Sequence, residues 1–219
     1  MIKRELYMNR IRPFIGGELI KVMTGIRRSG KSVMLELIKE ELAEAGVAPS
    51  QMISINFEDM RYSHLQTATA LHDEIIKRAE GIEGKAYLFF DEIQEVEGWE
   101  KCVNSLRVAL DCDIYITGSN AKLLSGELAT YIGGRYVEFV IYPFSFAEFL
   151  ELYHTIAPSD SIQQCFQKYL LVGGMPYLAN LRYEEEPSRQ YLTDLFNSVQ
   201  LKDIVKRNKI RDIDLLERI

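Results

Sequence analysis

MTGIRRSGKSVML, residues 23–35, lies between an apolar run, ELIKV, and a charged-apolar alternation, ELIKEEL. Gly25-Ile26-Arg27-Arg28-Ser29-Gly30-Lys31-Ser32 fits G-x-x-x-x-G-K-[ST] with no mismatch. Each fixed position has a physical reason. Gly25 and Gly30 permit turns that a side chain forbids, so that successive N–H groups point at phosphate oxygens. Lys31 sets a compact positive charge against the terminal phosphates. Ser32 offers a hydroxyl to a magnesium ion at a helix start, where the dipole also favours an anion. A chain of this length matches the pattern by chance about one time in a hundred. Here the match also stands between a buried strand and an amphipathic helix, the setting the pattern needs.

Outward from this stretch the pattern is an alternation of strands and helices. A short amphipathic helix is expected in IKRELYMNRIRPF, then strands in ELIKVMTG, MISINF (52–57), AYLFFDE (86–92), DIYITGSN (113–120) and RYVEFVIYPF. Between them lie helical patterns from Lys31 to Gly46, from Leu65 to Ile82, in WEKCVNSLRVAL and in AKLLSGELATYI. This predicts an α/β fold: a three-layer sandwich whose parallel sheet of about five strands carries helices on both faces. After residue 143 the period is helical only, through FSFAEFLELY, SIQQCFQKYLLV and EPSRQYLTDLFNSVQLKDIVKRNKI, with breaks at IAPSD and VGGMPYL. Two domains are expected, 1–143 and 144–219, and the final DIDLLERI stops in an apolar-periodic stretch, as if cut before a further segment.

A second motif supports the first. Asp91 and Glu92 close the apolar strand YLFF, at the sheet edge where such folds bind ligands. An aspartate there completes, through water, a metal site begun by Ser32. The adjacent glutamate points elsewhere and can position or deprotonate a water, which means hydrolysis. Ser119 and Asn120 end the next strand. Asn120 can bond the attacking water or the γ-phosphate, can cap the following helix, or do both. Arg135 follows a glycine pair and is a candidate for a γ-phosphate contact, from its own subunit or a neighbour, or for a plain solvent-facing arginine. Arg27 and Arg28 read equally as solvated loop arginines or phosphate contacts.

Composition excludes several classes. Lys and Arg number 26 against 32 Asp and Glu, a net −6, which argues against a coat of phosphate-neutralising charge. QLKDIVKRNKIR (200–211), with five basic residues and one acidic, leaves a local DNA-contacting face open beside the reading of a solvated helix end. No run approaches a membrane span, and the start has no signal-peptide core. Cys102, Cys112 and Cys165 lack paired metal-ligand spacing and read as reduced thiols of a cytoplasmic protein. Trp99 is expected to pack its helix on the sheet, and Tyr177 is a weak candidate for the adenine.

GIRRSGKS, INFED, LFFDEIQEVEGWE, ITGSNAKLLSGELATYIGGRY, PFSFAEF and YLLVGGMPYL together resemble AAA-type ATPases of bacteria and archaea, which pair an N-terminal ATPase domain with a C-terminal domain of unknown function. The resemblance implies a P-loop core with an added strand between the phosphate loop and the Asp–Glu strand, then a helical lid and a winged-helix-like region. By matched position, Lys31 and Ser32 bind the nucleotide and metal, Asp91 and Glu92 handle Mg²⁺ and water, and Asn120 is the sensor; Gly25, Arg28, Ser29, Gly30 and Val33 complete the candidate ATP-binding set of the loop. Arg135 falls in the family's GR motif and implies a possible homo-oligomer. On this resemblance, the family's C-terminal domain, similar to restriction-endonuclease-like folds, is expected to be absent or truncated here. The expected function is Mg²⁺-dependent ATP hydrolysis driving a conformational switch. A nucleotide-gated interaction or DNA-binding module and, further off, a small-molecule kinase are the alternatives.

Overall fold

The computed structural model describes residues 2–118 and 132–199. Asn120, the helix expected in AKLLSGELATYI and the basic run 200–211 lie outside the described residues. Two compact units divide the chain between Tyr142 and Pro143.

In the first unit, α1 (Glu5–Ile11) precedes β1 (Ile20–Thr24), α2 (Lys31–Glu44), β2 (Met52–Asn56), α3 (Ala68–Ala79), β3 (Ala86–Asp91), α4 (Trp99–Ala109), β4 (Cys112–Thr117) and β5 (Tyr136–Val140). The five strands form one parallel sheet in the order β2-β3-β4-β1-β5. β4 therefore lies between the phosphate-loop strand and the Asp–Glu strand. The central strands are buried on both faces, whereas β2 at one edge alternates buried Ile53 and Ile55 with exposed Ser54 and Asn56. Alternate residues feed two cores, as the pleat requires. Val22, Leu88, Phe90, Ile114 and Ile116 pack with Leu71 and Ile75 of α3 and with Trp99, Val103 and Leu106 of α4. Met23, Phe89, Tyr115 and Phe139 pack on the other face with Met34 and Ile38 of α2 and Tyr7, Met8 and Ile11 of α1.

Element bounds shift for local reasons. The helix expected from Leu65 starts only at Ala68, because Met60–Leu65 forms a 3₁₀ turn and the Thr67 hydroxyl accepts the Ala70 N–H as its N-cap. Strand β5 is half as long as its apolar pattern suggested, since its neighbour β1 ends at Thr24, whose carbonyl accepts the last ladder bond from the Ile141 N–H at 2.7 Å.

The second unit holds α5 (Phe146–Ile156), α6 (Ile162–Val172) and α7 (Glu185–Val199). Ser145 with Glu148, and Ser161 with Gln164, form capping boxes that start α5 and α6. Its core is aromatic: Phe149 lies 5.1 Å from Tyr153 and 4.7 Å from Tyr183, ring centre to ring centre.

Candidate functional site

The phosphate-loop motif occupies the turn from β1 into α2. Gly25 has φ 141°, and a Cβ there would lie 2.2 Å from the Ile141 carbonyl oxygen, a backbone atom that cannot yield. Only glycine satisfies both demands. Gly30, at φ 102°, brings the chain into α2, whose first turn has no side-chain cap. A helix N-terminus of this kind favours an anion through its dipole. Lys31 is buried, and its ammonium donates to the carbonyls of Gly25 at 3.1 Å and Ile26 at 3.2 Å, so the charge stays inside the loop. Ser32 and Val33 are exposed on the first turn of α2, and Arg28 is exposed at φ 65°. Ser29 is fully buried, and its hydroxyl has no hydrogen-bond partner.

Asp91 ends β3 with 6% exposure, held by the strands beside it. The Thr117 hydroxyl, at the end of β4, donates to one carboxylate oxygen, and the Asn56 amide, at the end of β2, donates to the other at 3.1 Å. Each oxygen keeps a free acceptor site. Glu92 departs from the strand: it adopts φ 54°, and its N–H donates to Thr117 Oγ1 at 3.0 Å. A left-handed backbone at a non-glycine residue is costly and concentrates at functional sites. The Gln94 amide donates to Glu92 Oε2. The phosphate loop and Asp91 share the carboxyl-end edge of the sheet, two strand spacings, about 10 Å, apart.

Arg135 is not in this group. It opens β5, where its carbonyl accepts the Ile20 N–H at 3.0 Å, at the start of β1. Five residues of strand, about 16 Å, separate that edge from Gly25. Its exposed guanidinium donates to Asn104 at 3.0 Å.

Four contributors escaped the sequence reading. Asn56, Thr117 and Gln94 stand at or just after strand ends, a position where a polar residue signals ligand chemistry. Arg4 carries no such signal. It sits at φ 46°, 2% exposed, and donates to the carbonyls of Ser29 at 3.0 Å and Tyr142 at 2.9 Å, bracing the phosphate loop from behind.

A phosphate loop on a parallel sheet with β4 interposed, facing a buried aspartate and its neighbouring glutamate, defines a P-loop NTPase fold. Residues 18–150 match the AAA domain model, and the chain belongs to that family. It is 40% identical over its whole length to an uncharacterized protein of Haemophilus influenzae, of which it covers 54%. With an uncharacterized protein of Methanocaldococcus jannaschii it shares 34% identity over 89% of its length, covering 44% of that protein. The chain thus spans about half the length of the curated relatives it matches. Among solved structures it is similar in fold to a point mutant of RuvB from Thermotoga maritima (TM-score 0.53, 14% identity, 97% of this chain and 72% of that one). AMPPCP-bound DnaA of Aquifex aeolicus gives a TM-score of 0.50 at 14% identity, over 99% of this chain and 67% of that one. Family and fold support nucleotide binding.

Proposed function

We propose that the chain binds and hydrolyses ATP with Mg²⁺, and that the cycle drives a conformational switch in a cytoplasmic AAA-type ATPase. Residues 1–143 form the ATPase core in this reading, and 144–219 a helical lid and the start of a winged-helix-like region. One observation carries it: the backbone splits Asp91 from Glu92, fixing the first between two strand-end donors and turning the second off the sheet. Two adjacent carboxylates thereby take two different tasks.

Among the described residues no cluster of three or more His, Cys, Asp or Glu offers a metal its own cage. Mg²⁺ does not need one, since it takes one or two protein oxygens and fills its shell with water and phosphate. The Ser32 hydroxyl and the free acceptor sites of Asp91 fit that demand, and the bound ion would neutralise charge on the phosphate oxygens. The uncapped first turn of α2 and the Lys31 ammonium bind and orient the phosphates. Glu92 takes a proton from the attacking water. Asn120 is proposed as the sensor of the γ-phosphate, and Arg28, Ser29 and Val33 as further nucleotide contacts.

Mg²⁺-dependent phosphate release is the test, with Lys31→Ala and Glu92→Gln beside the native chain. Native release is expected, with loss of ATP binding in Lys31→Ala. Glu92→Gln is expected to bind ATP and release phosphate about 10²-fold or more slowly. Unchanged release by Glu92→Gln would sink the assignment of the base.

A further inference from the structure

Among the described residues, Gln94 is a side chain whose polar atoms face Glu92 and remain half used. It lies in the 3₁₀ turn Ile93–Glu95 that follows β3, pinned there by the Glu95 N–H to the Glu92 carbonyl at 3.1 Å. Its amide nitrogen donates to Glu92 Oε2, while its own carbonyl oxygen is buried and has no hydrogen-bond partner. The orientation of the amide is determined by chemistry: the reverse one would set a carbonyl oxygen against a carboxylate oxygen, acceptor to acceptor. A buried amide oxygen without a donor costs free energy that a local turn could easily avoid by rotating outward to water. A turn that keeps it invites a donor from the ligand side.

We propose that Gln94 is a second water-holding group of the site, resting on the hydrolytic reading above. Its N–H fixes one oxygen of Glu92, leaving the other as the base, and its carbonyl oxygen accepts the second hydrogen of the attacking water. The water is then held at both hydrogens with a lone pair free for the γ-phosphorus. In the step, the water oxygen bonds to the γ-phosphorus and the bond to the β–γ bridging oxygen breaks, its electron pair leaving on ADP. The proton passes to Glu92 and from there to solvent, so that ATP and water become ADP, phosphate and one proton. A water held by one carboxylate oxygen and one amide oxygen explains why two polar groups two residues apart turn the same way.

The test compares Gln94→Ala and Gln94→Glu with the native chain and Glu92→Gln. Gln94→Ala is expected to lower kcat about tenfold or more with KM and ATP affinity within about twofold, since positioning of the water is felt in the transition state alone. Gln94→Glu keeps the size of the side chain but has no N–H to donate to Glu92, and is expected to lower kcat at least as far as Gln94→Ala, a change that a packing role would not cause. In the Glu92→Gln background, Gln94→Ala should have little further effect. Binding of Mg²⁺–ADP with aluminium fluoride gives a readout that needs no turnover: the native chain should bind it more tightly than Mg²⁺–ADP, and Gln94→Ala should lose most of that gain. Equal gain in native and Gln94→Ala, or a kcat unchanged or raised by Gln94→Ala, overturns the proposal. No gain in the native chain itself, with ATP still bound, overturns the hydrolytic reading and this proposal with it.

Discussion

At the scale of single residues, the phosphate loop depends on a side chain far from it in sequence. Arg4 spans two carbonyls, one in the loop and one at Tyr142, and lies 4.6 Å over the Tyr7 ring. Hydrogen bonds from a charged donor contribute about 1.5–3 kcal/mol each. Arg4→Ala is therefore expected to destabilise the chain by about 3–6 kcal/mol, measured by chemical denaturation, and to weaken ATP binding, measured by titration. Arg4→Lys should rescue little, because a compact ammonium does not reproduce a planar fork between two acceptors. Wild-type affinity in Arg4→Lys would show that the charge alone suffices. This residue also marks where sequence reading stopped. Lys31 and Asp91 were legible because their chemistry fixes local spacing, whereas Arg4 is tied to positions 25 and 138 residues away, and no spacing rule connects them.

Elements were legible where periodicity and burial agree. The run YLFF reads as a strand buried on both faces, and β3 is one. Boundaries were not, because caps compete with propensity at helix ends, as at Thr67, and a strand ends where its partner does, as β5 does where β1 stops at Thr24. The thiols test how firmly the elements pack. Burial pushes Cys102 on α4 up to about 12 and Cys112 at the start of β4 up to about 11, from an ordinary 9.0. Below pH 9 both native and unfolded chains keep these protons. Above it the unfolded chain releases them first, so rising pH favours unfolding by about 1.4 kcal/mol per thiol per pH unit until the folded thiol also ionises. Stability from Cys112 is thus lost as pH climbs through 9 to about 11, and from Cys102 through 9 to about 12. Denaturation midpoints at about pH 8, 9 and 10 should fall at the alkaline end, less so in Cys102→Ala, and neither thiol should react with an aromatic disulfide at about pH 8 before unfolding. Rapid labelling of the folded chain would refute the buried assignment.

For the whole molecule, the alternation of apolar strands with helices made the parallel sheet legible, yet spatial strand order was not, and that order decides the fate of Arg135. With β5 beside β1 and parallel to it, the start of β5 is placed about 16 Å from the phosphate loop of the same chain. We propose that an arginine on that edge, exposed and bonded only to a neutral Asn104 among the described contacts, serves a nucleotide bound to another copy. A head-to-tail assembly has this property: one copy's carboxyl-end edge meets a different edge of the next. The proposal of action between subunits makes a specific demand on mixtures. Lys31→Ala keeps Arg135 but cannot bind ATP, and Arg135→Ala binds ATP but lacks the arginine, so each alone should hydrolyse about 10³-fold more slowly than wild type. In an equal mixture, half the subunits bind ATP and about half of those face a neighbour that retains Arg135, so roughly a quarter of wild-type activity should return if copies associate head to tail at random. Activity per molecule of the native chain should also rise with concentration. A mixture no more active than its parts, together with a rate strictly proportional to protein, would leave Arg135 as a surface residue that holds Asn104 and the start of β5.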